Sequence, residues 1–498
     1  MTKNKQQILL LIIGVLTTPF VYAQDNSIIK KWTLQECVDY ALDNNLSVER
    51  GFLNVESSDI TLDQSKMALL PSVNANGSTG YNWGRSIDPT TNDFITQRIH
   101  AIGASAGANV TLFNGFALRN TITQNRLSYE GSKYSLEKTK NDITINVVLS
   151  FVVVIFNKEL YENTKLQLAS TQEQVTRTEK QVAVGALPNS ALLDIQAQLA
   201  SNEVNVINQE NELNISKLKL KQLLQLPANE PFDVAVPDVN LNEINLQNTS
   251  VGEIYVQSQM VMPDIKIAEY NVQSADYGEK SAKAQFYPRI TASAGLSTNY
   301  SDAFKLFNSD GSYTQEQIPD PENPLVMIDA YQQVKYSAVH GSDFYAPIVS
   351  PNGNLITKPI SDQFNDNLSK YISLGVSIPI FNGMQARSNV QRATIARRQA
   401  EISKIETNNT LRQSIESAYN DVQAAAKSYQ SSLKLVDARE ESFRAVQKRS
   451  ALNAISKYDY QIAENDLFRA KSDLLRAKYD YIVKLKILDF YQGKTLEF

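Results

Sequence analysis

The sequence is short of the residues from which many functions are built. Cys37 is the only cysteine, and His100 and His340 are the only histidines, in 498 residues. A single thiol excludes an intramolecular disulfide, and two isolated imidazoles supply neither a metal cluster nor a nucleophilic triad. No Walker loop, dinucleotide fingerprint or HExxH helix occurs, so the sequence predicts no catalytic site, cofactor or metal. Basic residues do not outnumber acidic ones: the formal charge is −5. No basic face appears, which excludes nucleic acid as a partner. Proline (16) and glycine (19) are sparse, which excludes a disordered chain. The longest mature apolar run, Ile145 to Phe156, would cover only about 18 Å as a helix, short of the roughly 30 Å hydrocarbon core, and is expected to be a buried packing zone.

What is present is periodicity. Met1 to Ala23 has a lysine-containing start, the apolar run ILLLIIGVL and small residues before Gln24, and 1–23 reads as a signal peptide. No cysteine follows that run, so a lipid anchor is not expected. Trp32 to Leu70 has helical spacing behind a capping box of Thr33 and Glu36, and Pro71 stops it. The period then becomes two. Val73, Ala75, Gly77, Thr79 and Tyr81 alternate with Ser72, Asn74, Asn76, Ser78 and Gly80, and Ile102 to Leu112 repeats the pattern. An apolar face backed by small polar residues over about ten positions is the signature of a membrane β-barrel strand with a wet interior.

After VTLFNGF the chain runs from Gly115 to Gly185 without a proline, and one helix there would reach on the order of 100 Å. VGALPNSALLDIQAQL turns it, and a second helix returns to about Gln225. A first repeat, 24–225, is therefore expected: a helix, a β-hairpin at 71–113 and a long helical hairpin at 116–225. Residues 226–250 read as a linker. The chain then starts again with a helix from Val251, alternation from Arg289, a return strand through Ile372 to Ile380 and the junction IPIFNGM. The second repeat, 251–489, would hold a β-hairpin at 288–381 and a helical hairpin at 384–489, leaving 490–498 as a tail. Pro379 belongs at the strand end, since it has no N–H for a ladder.

Gly115 and Gly383 lie 268 positions apart. At that offset Ile143, Val147, Phe151 and Val154 land on Leu411, Ile415, Tyr419 and Val422, and Ile195, Leu213 and Leu220 land on Ala463, Tyr481 and Leu488. A shared heptad-like register argues for coiled-coil hairpins and a tandem duplication. Pro71 and Pro288 are only 217 apart. The second β-hairpin thus carries an insertion, read as a surface-exposed outer loop over 301–367.

Four strands cannot close a membrane barrel, because open edges are not tolerated in lipid. Copies of the chain must share one. Three copies, giving twelve strands, suit the small inner faces better than two, since an eight-stranded barrel is nearly filled by its own side chains. The paired FNG junctions, the tandem helix-hairpin-helix halves, the opening WTLQECVDYALDNN and the turn VGALPNSALLDIQAQL together resemble the TolC family of outer-membrane efflux channels. The resemblance implies a mixed α and β membrane protein: a homotrimer with a twelve-stranded β-barrel, four strands per chain, continued by a long periplasmic α-helical barrel. It also implies a passive outer-membrane duct, embedded in outer-membrane lipid, for tripartite efflux or type I secretion. Its partners would be a periplasmic membrane-fusion adaptor and an inner-membrane transporter of RND or ABC type. The competing reading is a periplasmic coiled-coil adaptor or structural spacer.

The family's second tip commonly reads Gly-Leu-x-Ser, with acidic residues six and nine positions past the glycine. Here Asn453 takes the glycine position, followed by Ile455, Ser456 and Asp459 at plus six, while Ile462 replaces the second acid. The first tip has Gly185, Leu187 and Asp194. In three copies Asp459 would form a ring that favours cations and helps close the pore; alternatively, Asp459 and Asp194 are solvated acids near helix starts. Gly185 and Asn453 suit the turn itself. Leu187 and Ile455 are either knobs for an adaptor or caps of the coiled coil. Asn114 with Gly115, and Asn382 with Gly383, are expected to turn strand into helix.

Overall fold

The computed structural model describes residues 30–87, 92–96, 98–227, 229–237, 250–319, 327–329, 331–334, 344–452 and 454–494. The expected signal peptide, His340, and parts of the linker, the outer loop and the tail lie outside them. In chain order the elements are β1 (Lys31–Trp32), α1 (Leu34–Asn44), α2 (Leu46–Met67), β2 (Ser72–Asn82), β3 (Arg85–Ile87), β4 (Phe94–Thr96), β5 (Ile99–Asn114), α3 (Ala117–Ala183) and α4 (Asn189–Leu223). Then come β6 (Asp233–Val234), α5 (Val251–Val261), α6 (Pro263–Lys283), β7 (Arg289–Ser301), β8 (Lys305–Gln315), β9 (Gln317–Pro319), β10 (Met327–Asp329), β11 (Tyr331–Val334) and β12 (Phe344–Pro347). The chain ends with β13 (Val349–Thr357), α7 (Ile360–Asp366), β14 (Ser369–Ser377), α8 (Gln385–Ala451) and α9 (Lys457–Tyr491).

The duplication reaches into element lengths. α3 and α8 each have 67 residues, and α4 and α9 each have 35. α1 and α5 each have 11 residues and start behind the same device, a capping box of Thr33 with Glu36 and of Ser250 with Glu253. Two single helices expected from the sequence, over 32–70 and from 251, are each divided. The breaks fall at the equivalent positions Asn45 (ψ 125°) and Met262 (ψ 123°), both extended. Met262 precedes a proline, which disfavours the helical region. Asn45 uses its side chain, accepting from the Ser47 N–H at 2.8 Å and donating to the Leu223 carbonyl at 3.2 Å.

The residues cluster into two compact units. The helical unit takes the chain up to Ser57, Glu130–Tyr270 and Glu401 onward. Its core is the apolar run of α3: Val147, Val148, Phe151 and Val154 are at most 1% exposed. α3 as a whole is long and apolar enough by composition to cross a membrane, yet its apolar run packs against Ala41, Leu220, Ile254, Ile415, Val422 and Leu488. Cys37 sits in the same core, and burial pushes its thiol up to about 12, which leaves it an inert packing residue. Beside the core β1 and β6 pair in parallel. Asp233 binds Lys158 at 2.7 Å and Lys217 at 3.0 Å.

The sheet unit takes Ser58–Tyr129 and Asn271–Ala400. Its four main strands run β14-β7-β5-β2, every neighbour antiparallel. The register carries the alternation across all four. Val73, Ala108, Ala294 and Ile372 share one row of the apolar face, while Asn74, Gly107, Gly295 and Tyr371 share one row of the other. β14 stops at Ser377, two residues short of Pro379. The insertion is itself structured: β8 and β13 form a ribbon. α7 closes it through Gln363, 1% exposed, whose amide accepts from Ser301 N–H at 3.0 Å and donates to Ser301 C=O at 2.9 Å.

Within this unit Glu279 of α6 binds Lys283 at 2.6 Å and Arg397 of α8 at 2.7 Å. The Lys283 and Arg397 hydrogen bonds hold its carboxyl at about 2. A carboxyl depressed on folding stabilises the protein above its unfolded range and loses that contribution as pH falls through the folded value. Glu279→Gln is therefore expected to flatten the acid limb of the stability curve between about pH 4.5 and pH 2, measured by thermal unfolding across that window.

Candidate functional site: helical tips and strand-to-helix junctions

The first tip ends α3 on Gly185, whose φ of +71° is left-handed. Ala186 N–H returns to the Gln181 carbonyl at 2.8 Å and Gly185 N–H to Val182 at 2.9 Å, a Schellman closure. At the second tip Ala454 N–H returns to the Arg449 carbonyl at 2.9 Å, the same bond 268 positions on. Asn453 lies outside the described residues. Leu187 and Ile455 occupy equivalent half-buried places. The two helix starts differ. Pro188 caps α4 without a side-chain bond, whereas the Ser456 hydroxyl accepts from Asp459 N–H at 3.1 Å and donates to the Asp459 carboxylate at 2.7 Å.

Asp459 is thus an exposed first-turn acid engaged with its own cap, placed where the helix dipole favours it. Asp194 is exposed on α4. Among the described residues no hydrogen bond or ion pair joins the two.

Sequence reasoning missed the seam between α3 and α9. Lys457 Nζ donates to Gln181 Oε1 at 2.6 Å and Thr178 Oγ1 at 3.0 Å. Burial, with a smaller contribution from the nearby Arg177 charge, lowers its pKa. Farther along, Asn163 bonds Ser472 at 3.0 Å and Gln167 bonds Asn465 at 3.2 Å. The buried Glu464 carboxylate, 3% exposed, accepts from Ser170 and Gln174. α8 and α9 meet through aromatic pairs, Tyr429 with Tyr481 and Phe443 with Tyr460, and through the ion pairs Arg439–Asp466 at 2.9 Å and Lys471–Glu440 at 2.8 Å. The signal was available: Asn163, Gln167, Ser170, Gln174, Thr178 and Gln181 form a polar stripe at helical spacing.

The junctions are built alike. Asn114 Oδ1 accepts from Leu118 N–H at 3.3 Å, and Asn382 Oδ1 from Ala386 N–H at 3.5 Å, so each asparagine caps the helix it starts. Two consecutive left-handed residues follow: Gly115 and Phe116, both at φ +66°, then Gly383 at +61° and Met384 at +64°. Their surroundings differ. A Cβ at Gly115 would lie 2.7 Å from the Ala284 carbonyl oxygen and 2.7 Å from Tyr287 Cβ, whereas Gly383 faces open space.

With this geometry in place, comparison with known proteins gives a consistent answer. Residues 37–225 and 350–494 match the model of the outer membrane efflux protein family. The chain belongs to that family and is an outer-membrane protein extending into the periplasm. It is 22% identical over 290 residues to the probable outer membrane lipoprotein SilC of Salmonella typhimurium, covering 57% of this chain and 59% of that protein. It is 23% identical over 293 residues to the cation efflux system protein CusC of Escherichia coli K12, covering 58% and 60%. The matches therefore span about three-fifths of those curated relatives. Among solved structures, CusC superposes with a TM-score of 0.71 at 18% identity, covering 93% of this chain and 92% of that one. The CmeC outer membrane channel of Campylobacter jejuni gives 0.72 at 16%, covering 92% and 85%. The fold is theirs: barrel strands joined to long paired helices.

Ser456→Ala removes the side-chain cap of α9 and is expected to cost about 1 kcal/mol. Hydrogen exchange should show faster exchange at Asp459 and Tyr460 with little change at the start of α4, which has no such cap.

Proposed function

We propose that the protein is a passive export duct of a tripartite efflux or type I secretion system. Three copies pool their four strands into one twelve-stranded barrel, and energy comes from a periplasmic adaptor and an inner-membrane transporter of RND or ABC type. No catalytic step is needed for that role. The observation that carries the reading is the sheet. It has one face rich in Val, Ile, Leu and Ala, one face of mostly small Ser, Asn, Gly and Thr with Arg289 at its junction end, and two open edges at β2 and β14. A periplasmic spacer has no use for such a surface.

The repeat supports the way the ring closes. The first junction is covered by Ala284 to Tyr287, at the end of the second repeat's helix. The first repeat's counterpart is Met67 to Leu70, where Met67, Leu69 and Leu70 are exposed, and the open place is the one over Gly383. A neighbouring copy's Met67 to Leu70 fits the vacancy. α2 also exposes Leu46, Leu53, Ile60 and Met67 at seven-residue spacing, a seam suited to a second helix.

The tips are read as the closing end. Gly185, with Asn453 proposed as its counterpart, turns the hairpins, Leu187 and Ile455 offer adaptor contacts, and Ser456, Asp459 and Asp194 line the approach. Lys457 ties the second hairpin to the first. A barrel face made mostly of small Ser, Asn, Gly and Thr leaves cargo choice to the transporter.

Two measurements test this. Leu70→Cys with Gly383→Cys, oxidised in membranes, should give a crosslinked ladder ending at three chains; a ladder ending at two would overturn the twelve-strand ring. In planar bilayers the parent should show discrete conductance steps, and Lys457→Ala should raise them by loosening the tip. A protein that never conducts is not a duct.

A further inference from the structure

The junctions carry more than a turn. Each reads Phe-Asn-Gly, a large apolar residue, two further residues and an arginine: Phe113 to Arg119, and Phe381 to Arg387. In both, the large residue holds a left-handed backbone that side chains of this size rarely adopt. The first junction is flanked on both sides by its own chain, β2 and β7 beside β5 and Tyr287 over Gly115. Phe116 nevertheless remains 56% exposed and Tyr287 58%.

Contacts trace a path from the sheet to the arginine. Phe113 pairs with Ile290 on the apolar face. Its ring meets Phe116 edge-on at 5.3 Å, and the Arg119 guanidinium lies over the Phe116 ring at 5.8 Å. At the second junction Arg387 shares a pocket of about 180 Å³ with Gln285, Phe286, Ile380, Phe381 and Met384. Neither α3 nor α8 has an acid in its first turn, and among the described residues no carboxylate pairs with Arg119 or Arg387. A cation there is opposed by the helix dipole. Both repeats keep one, with an exposed apolar shelf beside it.

We propose that each junction binds a phospholipid of the inner leaflet of the outer membrane. The phosphate sits on Arg119 or Arg387, and the acyl chains lie along Phe113 and Phe116 or along Phe381 and Met384. The occupant follows from continuity with the sheet's apolar face and from the two uncompensated cations at the level where that face ends. Arginine suits phosphate because its planar fork donates two parallel hydrogen bonds. The proposal rests on the membrane placement of the sheet given above and is independent of conductance.

The test uses the full chain, purified as its oligomer and incubated with palmitoyl-oleoyl phosphatidylglycerol, with retained lipid counted by native mass spectrometry. The parent should hold lipid that excess inorganic phosphate does not displace. Arg119→Gln with Arg387→Gln should hold about tenfold less, while Arg444→Gln, near the far end of α8, should match the parent. Phe116→Asn with Met384→Asn should also lose lipid, since asparagine tolerates the left-handed backbone but offers no apolar shelf. Equal retention by the glutamine pair, or stripping by inorganic phosphate, would overturn the site. If the glutamine pair does not assemble, the asparagine pair decides by the same two readings. An oligomer that enters phospholipid nanodiscs yet keeps no lipid counts against the junction sites alone; one that enters none counts against the membrane placement.

Discussion

A backbone in lipid has no water to bond to, so every N–H and C=O of a spanning strand must find a partner in protein. β5 and β7 satisfy this within the chain, each lying between two antiparallel neighbours. β2 and β14 do not. Each has one ladder made and one row of polar groups left over, and an edge of nine to eleven residues is too long for lipid to tolerate. Much of the molecule follows from that deficit, from the parity of the strands to the exposed seam on α2.

The helices answer a different demand. Hairpins of 67 and 35 residues cannot bury a wide core, so they rely on narrow heptad seams and on one thick knot of aliphatic side chains around Phe151. Away from that knot the α3–α9 contact turns to amides, hydroxyls and one buried carboxylate, Glu464. Amide and hydroxyl bonds contribute only modestly and can exchange partners with water, whereas an aliphatic seam gains nothing by opening. Bonds of the same kind run inside the first hairpin, Asn202 to Thr171 at 2.8 Å and Gln209 to Asn157 at 3.4 Å, so both seams away from the knot are held by groups that can trade partners with water.

Much of this was legible in the sequence because periodicity of two and of seven records which side faces water. The FNG pair and the 268-residue offset led to helical hairpins at 116–225 and 384–489, and the helices run Ala117–Ala183 with Asn189–Leu223 and Gln385–Ala451 with Lys457–Tyr491. The divided helices were harder. Asn45 interrupts α1 and α2 by a side-chain bond to Leu223, a partner 178 positions away that no local pattern reveals. Left-handed backbone at Phe116 and Met384 was also hidden, since neither residue type signals it. Lys457 looked like any surface lysine in its sequence window. Its partners Gln181 and Thr178 lie on another helix, and only the fold brings them together.

The equality of the duplicated helices sets a rule for change. In a ring of three chains the periplasmic wall is made of six staves of one length, and an even rim needs all six to end at one level. Removing a single turn from α3 and α4 alone would shorten alternate staves by about 5 Å and leave a crenellated rim. Length variation in such a protein has to arrive in matched pairs, one in each half of the gene, or be confined to the inserted β8–β13 ribbon, where no second copy of the repeat has to keep step.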